Sequence, residues 1–207
     1  VQRLMDTGGY ARAYTAATQF LRDYPDSPLQ SEALFRQGVC AFQLGQWAAA
    51  RDIFQRLRTR HNAPGPSAFS AFEEALPFYL AEIAYREGRY AEAMSQYQTV
   101  IASPRSSPYK PLAQAGLGWT YYQQGRCAES FAAFESLRTS NAGAITGSTL
   151  FALGDCAQRL GRTDDAMQAL RQLLSQDPHN AWADDAALRL GELLVPQGRD
   201  GEARVLF

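Results

Sequence analysis

Lysine, histidine and cysteine are scarce in this sequence, and long apolar runs are missing from it. Among 207 residues the only lysine is Lys110, and there are two histidines and three cysteines. Twenty basic and 21 acidic side chains leave a formal charge of −1, which argues against nucleic-acid binding or membrane-surface attachment through a broad basic field. No apolar run approaches the roughly 20 residues that a membrane span needs, and no signal peptide is visible.

The residues that carry chemistry in most enzymes and metal sites are too scattered here to form a site. Cys40, Cys127 and Cys156 show no C-x-x-C spacing, which argues against zinc binding and dithiol redox chemistry. His61 and His179 lie in segments rich in proline and asparagine, with no second ligand or nucleophile at a useful spacing. We therefore expect a non-catalytic protein without a cofactor or metal, and cysteines that pack in the core.

One local pattern repeats along the whole sequence. After a glycine come one residue of any type, a position that is often aromatic, two more residues and a small residue. An apolar residue follows four positions after the small one. These glycines are 37, 43, 37, 36 and 37 residues apart, and a second small residue precedes each one after the first by seven positions. Seven residues are two helical turns, so each small residue opens space on one helix face for a neighbour. The pattern predicts helical hairpins with glycine in the turn, at Gly8, Gly45, Gly88, Gly125, Gly161 and Gly198.

Helix-breaking residues separate the predicted hairpins. Proline-containing joints occur at 24–28, 103–108 and 177–180, where proline ends one helix and a Ser or Asn can begin the next. The longest interval between glycines predicts a loop at 61–66, followed by a helix that starts with a capping box at Ser70 and Glu73. That helix would contain Pro77, so we expect a kink or break there.

The repeat resembles the tetratricopeptide repeat. Alanine fills its twentieth position, with Ser130 as the exception, and an aromatic often fills its twenty-fourth: Ala13, Ala50, Ala93, Ala166 and Ala203, and Phe54, Tyr97, Phe134 and Phe207. The resemblance implies an all-α, right-handed superhelical solenoid over residues 1–207, with partial repeats at 1–28 and 181–207 and repeats at 29–66, 67–108, 109–144 and 145–180. Because no polar capping helix follows the last repeat, we expect the array to belong to a longer protein.

Two features resemble a narrower group within this family. They are the spacing near 37 residues and the joint Tyr-Pro-Asp-Ser-Pro at 24–28, which Ser-Glu-Ala-Leu-Phe follows at 31–35. They are similar to the periplasmic TolA-binding proteins and to outer-membrane assembly lipoproteins of the BamD kind. The resemblance implies a bacterial protein that is periplasmic or associated with the outer membrane, with the cytoplasm as the alternative.

In tetratricopeptide repeats the first helix of each repeat lines a concave wall, and the resemblance places a protein or peptide partner there. Aromatic rings with charges between them are typical of such contact surfaces. For Phe35, Phe42, Phe78 and Phe151, packing against the next repeat is the alternative. We expect replacement of Trp119 and Tyr122 to weaken binding at little cost in stability. The candidate residues are Trp119, Tyr122, Tyr85, Phe78, Phe35, Phe42, Phe151, Glu82, Arg86, Asp155 and Arg159.

The composition also bears on what the partner is. Tetratricopeptide domains that grip the C-terminal carboxylate of heat-shock chaperones use Lys and Asn at inner positions, and here Lys110 lies at a joint. An apolar or extended partner is therefore favoured. Two other functions remain open: a structural element that forms homo-oligomers, and a recruiting or regulatory arm of a longer enzyme.

Overall fold

The computed structural model describes residues 1–61, 72, 74–140, 145–176 and 178–206, and across these ranges the regular secondary structure is helical. The all-α prediction is therefore confirmed. Twelve α-helices lie in the described ranges, with a 3₁₀ turn at Val195–Gln197. They are α1 Gln2–Asp6, α2 Tyr10–Asp23, α3 Gln30–Gln43, α4 Trp47–His61, α5 Ala75–Arg86, α6 Tyr90–Ala102, α7 Tyr109–Gln123, α8 Cys127–Thr139, α9 Gly147–Arg159, α10 Thr163–Gln176, α11 Ala183–Leu194 and α12 Asp200–Leu206.

Contacts between Cα atoms divide the chain into two compact units, Val1–Tyr109 (unit 1) and Lys110–Phe207 (unit 2). In unit 1 each of the helices α1 to α5 packs on the helix that follows it. In unit 2 each of the helices α8 to α11 packs on the helix that follows it. Each unit is thus built from helical hairpins packed side by side, and the single solenoid over residues 1–207 stays a prediction.

The predicted glycine turns are present at every hairpin. All six glycines have φ between +69° and +73°, a region that side chains with a Cβ disfavour. At the turn between α5 and α6, the Gly88 amide donates to Tyr85 O at 3.0 Å and the Arg89 amide to Ala84 O at 2.8 Å. This pair of bonds satisfies the last carbonyls of α5 and reverses the chain into α6.

The small residues seven positions earlier admit a side chain of the second helix. A Cβ added to Gly38 would lie 2.5 Å from the Phe54 ring, and one added to Gly118 would lie 2.4 Å from the Phe134 ring. Both rings are fully buried. Gly154 is less crowded, with its nearest neighbour at 3.1 Å. The residues at the twentieth repeat position are buried as well, namely Ala13, Ala50, Ala93, Ser130, Ala166 and Ala203.

The predicted start of the helix that contains Pro77 falls largely outside the described residues. The described helix begins at Ala75, so Pro77 falls in its first turn. The first amides of a helix have no intrahelical acceptor, and a proline there breaks no intrahelical bond and need not bend the helix. Because residues 62–71 and 73 lie outside the described residues, the kink or break expected at Pro77 in a longer helix stays a prediction. Ser70, Glu73 and residues 62–66 of the predicted loop lie outside the described residues, and His61 is the last residue of α4.

The apolar cores follow the hairpins. In unit 1, side chains of α3 and α4, with Leu34, Phe54 and Leu57 at the centre, pack against Leu80 and Ile83 of α5. In unit 2 one cluster joins α8, α9 and α10, and a second joins α9, α10, α11 and α12. Among the helices of the described ranges, none combines the length and apolar character required to cross a membrane.

Candidate functional site

The candidate residues lie on the first helices of the hairpins, in both units. Unit 1 carries Phe35 and Phe42 on α3 and Phe78, Glu82, Tyr85 and Arg86 on α5, while unit 2 carries Trp119 and Tyr122 on α7 and Phe151, Asp155 and Arg159 on α9.

The phenylalanines of unit 1 belong to one network of rings. Phe35, Phe42 and Phe78 are half-buried, and each contacts Tyr79 with ring centroids 5.9, 5.2 and 5.6 Å apart. Tyr79 also stacks on the buried ring of Phe54 at 5.5 Å. Burial raises the pKa of the Tyr79 phenol above its usual value. Phe35 and Phe42 therefore join neighbouring hairpins, as the packing alternative predicts. Phe78 does so through Tyr109 of α7, with ring centroids 5.2 Å apart, and all three present only part of each ring.

The two charged candidate residues of unit 1, Glu82 and Arg86, form a pair of opposite charges. Glu82 accepts a hydrogen bond of 2.5 Å from the hydroxyl of buried Tyr97, and its other oxygen lies 4.0 Å from the Arg86 guanidinium. Burial, followed by the charge of Glu82, raises the pKa of Tyr97. Arg86 is about half exposed and lies 5.5 Å from the centre of the Trp47 ring. Tyr85, half-buried, contacts Tyr90.

In unit 2, Trp119 lies half in the core. Its ring packs edge-on against the fully buried Phe134, with centroids 5.5 Å apart, and against Tyr122 at 5.6 Å. Removing the indole would uncover one side of Phe134, which costs packing energy. These contacts therefore argue against the expectation that Trp119 and Tyr122 can be replaced at little cost in stability.

Phe151 contributes to packing more than to an open surface. It is 8% exposed and stacks on the ring of Trp182 with centroids 4.9 Å apart. The Arg189 guanidinium lies over the same ring at 4.8 Å. Trp182, which is 40% exposed, presents the accessible aromatic surface at this place.

Asp155 is the centre of a polar cluster in unit 2. It is 3% exposed, and its oxygens accept hydrogen bonds from the Tyr122 hydroxyl at 3.0 Å and from Arg189. Arg159 Nε lies 3.0 Å from the same carboxylate. Burial and the hydrogen bond to Asp155 raise the pKa of Tyr122 to about 12. A buried carboxylate is tolerated only with such partners, so α7, α9 and α11 are tied together at this point.

The two arginines give the cluster a positive surplus. Arg159 and Arg189 each carry one positive charge and share the single carboxylate of Asp155. Their side chains are 58% and 33% exposed, so both guanidinium groups can reach a ligand. A guanidinium offers five N–H donors in a planar fork that fits carboxylates. The cluster can therefore bind an anionic group beside the aromatic rings.

Sequence reasoning did not find Arg189 or Tyr79. Each stands two positions before the small residue of its first helix, Gly191 and Ala81, and each contacts the first helix of the preceding hairpin. In the family pattern this position does not face the concave wall. A signal in the sequence is the size of Tyr79 and Arg189 at a position that α7 fills with Gly116.

The cysteines lie in the core as predicted. Cys40 and Cys156 are fully buried, and Cys127 is half-buried against the cluster that contains Cys156. Burial, with a further contribution from Cys127, raises the pKa of Cys156 to about 12. A thiol in this state is a poor nucleophile.

Comparisons with known proteins agree with this architecture. A structure from Parabacteroides merdae ATCC 43184, described as a tetratricopeptide repeat protein, is similar with a TM-score of 0.68 and 16% identity, covering 99% of this chain and 73% of that one. MamA from AMB-1 has a TM-score of 0.67 and 17% identity, covering 87% and 90%. YrrB, described as a TPR protein with an unusual peptide-binding site, has a TM-score of 0.66 and 12% identity, covering 92% and 88%.

At these identities the similar structures establish the fold alone. Among curated proteins, none matches the sequence significantly. The family model described as "Tetratricopeptide repeat" matches residues 1–69, 71–111, 80–145, 115–181 and 151–207. These segments span nearly the whole sequence, and with the glycine turns and the small-residue contacts they show that the chain belongs to the tetratricopeptide repeat family.

Proposed function

We propose that the protein is a non-catalytic scaffold that holds a peptide or protein partner on the first helices of its hairpins. The observation that carries the proposal is the surface of unit 2 formed by α7, α9 and α11. There the exposed guanidinium of Arg159 lies on α9, and the accessible ring of Trp182 immediately precedes α11, which Asp155 ties to α9. Rigid aromatic area next to arginine is the composition of residues that dominate binding energy in protein interfaces.

The proposal includes a place in a bacterial envelope, either in the periplasm or at the outer membrane. Its support is the similarity of the joints to those of TolA-binding and BamD-type proteins, and the cytoplasm is the alternative. Fractionation of cells that produce the full-length protein, with periplasmic and cytoplasmic markers, tests this part separately from binding.

The binding test uses a displayed library of random 12-residue peptides selected on the immobilised protein. An enriched peptide is then synthesised with a fluorophore and titrated by anisotropy. Tyr122→Ala and Trp182→Ala should each weaken binding, by about tenfold if the ring is a central contact. Tyr24→Ala is the matched control, because Tyr24 is a 58% exposed aromatic outside the first helices.

The proposal fails if no peptide is enriched, or if the control variant weakens binding as much as the two site variants do. Self-association is measured on the same samples. Sedimentation at several protein concentrations separates a monomeric receptor from the homo-oligomeric alternative. The natural sequence on either side of residues 1–207 decides whether the array is an arm of a longer enzyme.

A further inference from the structure

We propose that the partner segment is acidic, and that one of its carboxylates pairs with Arg159 and Arg189, which we call the arginine pair. This inference rests on the proposed function and specifies the chemistry of the ligand. It narrows the apolar or extended partner expected from the sequence to one that places an acidic side chain beside apolar groups.

The charged groups of the site are two arginines and one carboxylate. Asp155 is nearly inaccessible, and within the described residues it is the carboxylate that both arginines contact. It neutralises one of the two positive charges and leaves the other facing solvent. Tyr122 adds a donor and no charge. Two guanidinium groups therefore share one carboxylate, and a carboxylate of a ligand would provide the second partner.

The second step is the rigidity of the arginine pair. Arg189 is held between the Asp155 carboxylate and the Phe151 ring, 4.8 Å from the ring centre, and Phe151 is held in turn by Trp182. Arg159 stands one helical turn after Asp155 on α9 and bonds to it. Donors that are already ordered lose less entropy when a ligand binds. The pair is thus prepared to form charge-assisted hydrogen bonds to a carboxylate.

The third step is a comparison with unit 1. Glu82 and Arg86 occupy the same repeat positions as Asp155 and Arg159, one and five residues after the small residue. There one arginine faces one carboxylate at 4.0 Å, so the charges balance. Arg189, which has no counterpart in that pair, creates the surplus in unit 2.

The fourth step concerns the size of the ligand charge. A local surplus of one charge in a chain of net charge −1 is small for a polyanion such as nucleic acid, which is bound through many phosphate contacts. Half-buried Trp119 and exposed Trp182 flank the site and offer apolar contact. An acidic residue next to an aromatic or aliphatic one in a peptide fits both features.

The test applies the displayed 12-residue library to the wild-type protein and to the variant with both Arg159→Gln and Arg189→Gln. Peptides enriched on the wild type should carry Asp or Glu beside an apolar residue. The synthetic peptide should lose affinity by about tenfold or more on the double variant, the order of effect for truncating a charged interface partner. The same peptide with Gln for Glu, or Asn for Asp, should bind the wild type equally weakly.

Two controls keep the result specific. Arg162→Gln removes the same charge from an arginine of unit 2 that pairs with Asp165, and Arg12→Gln removes it from an exposed arginine on α2 of unit 1. Both should leave the affinity within about twofold, since distant exposed charges are screened. If Arg189→Gln fails to fold, Arg189→Lys replaces it, because lysine keeps the positive charge but not the planar fork of donors. The single variant Arg159→Gln tests the pair without disturbing the core, because this side chain is mostly exposed. Circular dichroism verifies the fold of each variant.

The outcomes separate this inference from the proposed function. Enriched peptides without acidic residues, bound equally by the wild type and the double variant but weakly by Tyr122→Ala, would overturn the inference and retain the scaffold. Equal losses for Arg162→Gln and the arginine-pair variants would also overturn it, because the effect would then be general electrostatics. Repeated selection without any enriched peptide would contradict both proposals.

Discussion

Replacing Gly118 with alanine tests the packing inside the hairpins. The new Cβ would stand 2.4, 2.6 and 3.0 Å from three atoms of the Phe134 ring, whereas carbon atoms prefer separations of about 3.5–4.0 Å. Phe134 is fully buried and its ring contacts Trp119, so the ring cannot withdraw without moving Trp119.

The magnitude follows from two opposing effects. Overpacking a core costs about 1–3 kcal/mol, and the severity of this overlap places it in the upper part of that range. Alanine gains about 1 kcal/mol over glycine in a helix interior. The net expectation is a loss of about 1–2 kcal/mol in the free energy of unfolding, measured by urea denaturation followed by circular dichroism.

Two further variants isolate the cause. Gly201→Ala in α12 has no neighbour within 4 Å, so it should be neutral or slightly stabilising. Phe134→Leu should reduce the cost of Gly118→Ala, because Leu170 fills the equivalent position beside Gly154. Equal stability of the Gly118→Ala and Gly201→Ala variants would refute the reasoning.

Four other outcomes are expected. Asp155→Asn should lower the free energy of unfolding by about 1–2 kcal/mol, because Tyr122 and Arg189 lose a charged acceptor; an unchanged urea midpoint would contradict this. Trp119→Ala should cost about 2 kcal/mol, since the half-buried indole packs edge-on against Phe134; wild-type stability of the Trp119→Ala protein would show that the indole contributes little to the core. The pKa of Tyr122 is raised from 10.0 to about 12, and burial raises the pKa values of Tyr79 and Tyr97. The folded state then holds phenol protons that the unfolded chain releases, so stability present below pH 10 should fall as the pH rises toward 12; Tyr122→Phe should make that fall shallower, and identical slopes would argue against the raised pKa. Half-buried Cys127 should react first with a thiol reagent, while buried Cys40 and Cys156 wait for unfolding; three thiols reacting at one rate would refute the burial pattern.

The hairpins could be predicted from sequence because their determinants are local. A glycine in a turn needs a positive φ, and a small residue two turns earlier is needed wherever Phe54 or Phe134 approaches the helix. Both requirements repeat with the hairpin and leave a period in the sequence. The effect of Pro77 is less predictable, because a proline is compatible with a first helical turn as well as with a kink.

The candidate site was only partly predictable, because its contacts join different hairpins. Asp155 was identified by its repeat position, but its partner Arg189 lies on α11 at a repeat position that the family pattern does not assign to the concave wall. The exposure of the candidate rings could not be predicted from the sequence either. Trp119 and Phe151 occupy positions that face the partner in the family pattern, yet Phe134 and Trp182 cover part of each ring.

Hydrogen–deuterium exchange of the protein with and without a selected peptide tests the central claim most directly. The scaffold account predicts slower exchange in the first helices of unit 2, α7, α9 and α11, with the segment around Asp155 and Arg159 among the most protected. The second helices α8, α10 and α12 should be nearly unchanged. Protection confined to those second helices would contradict the account.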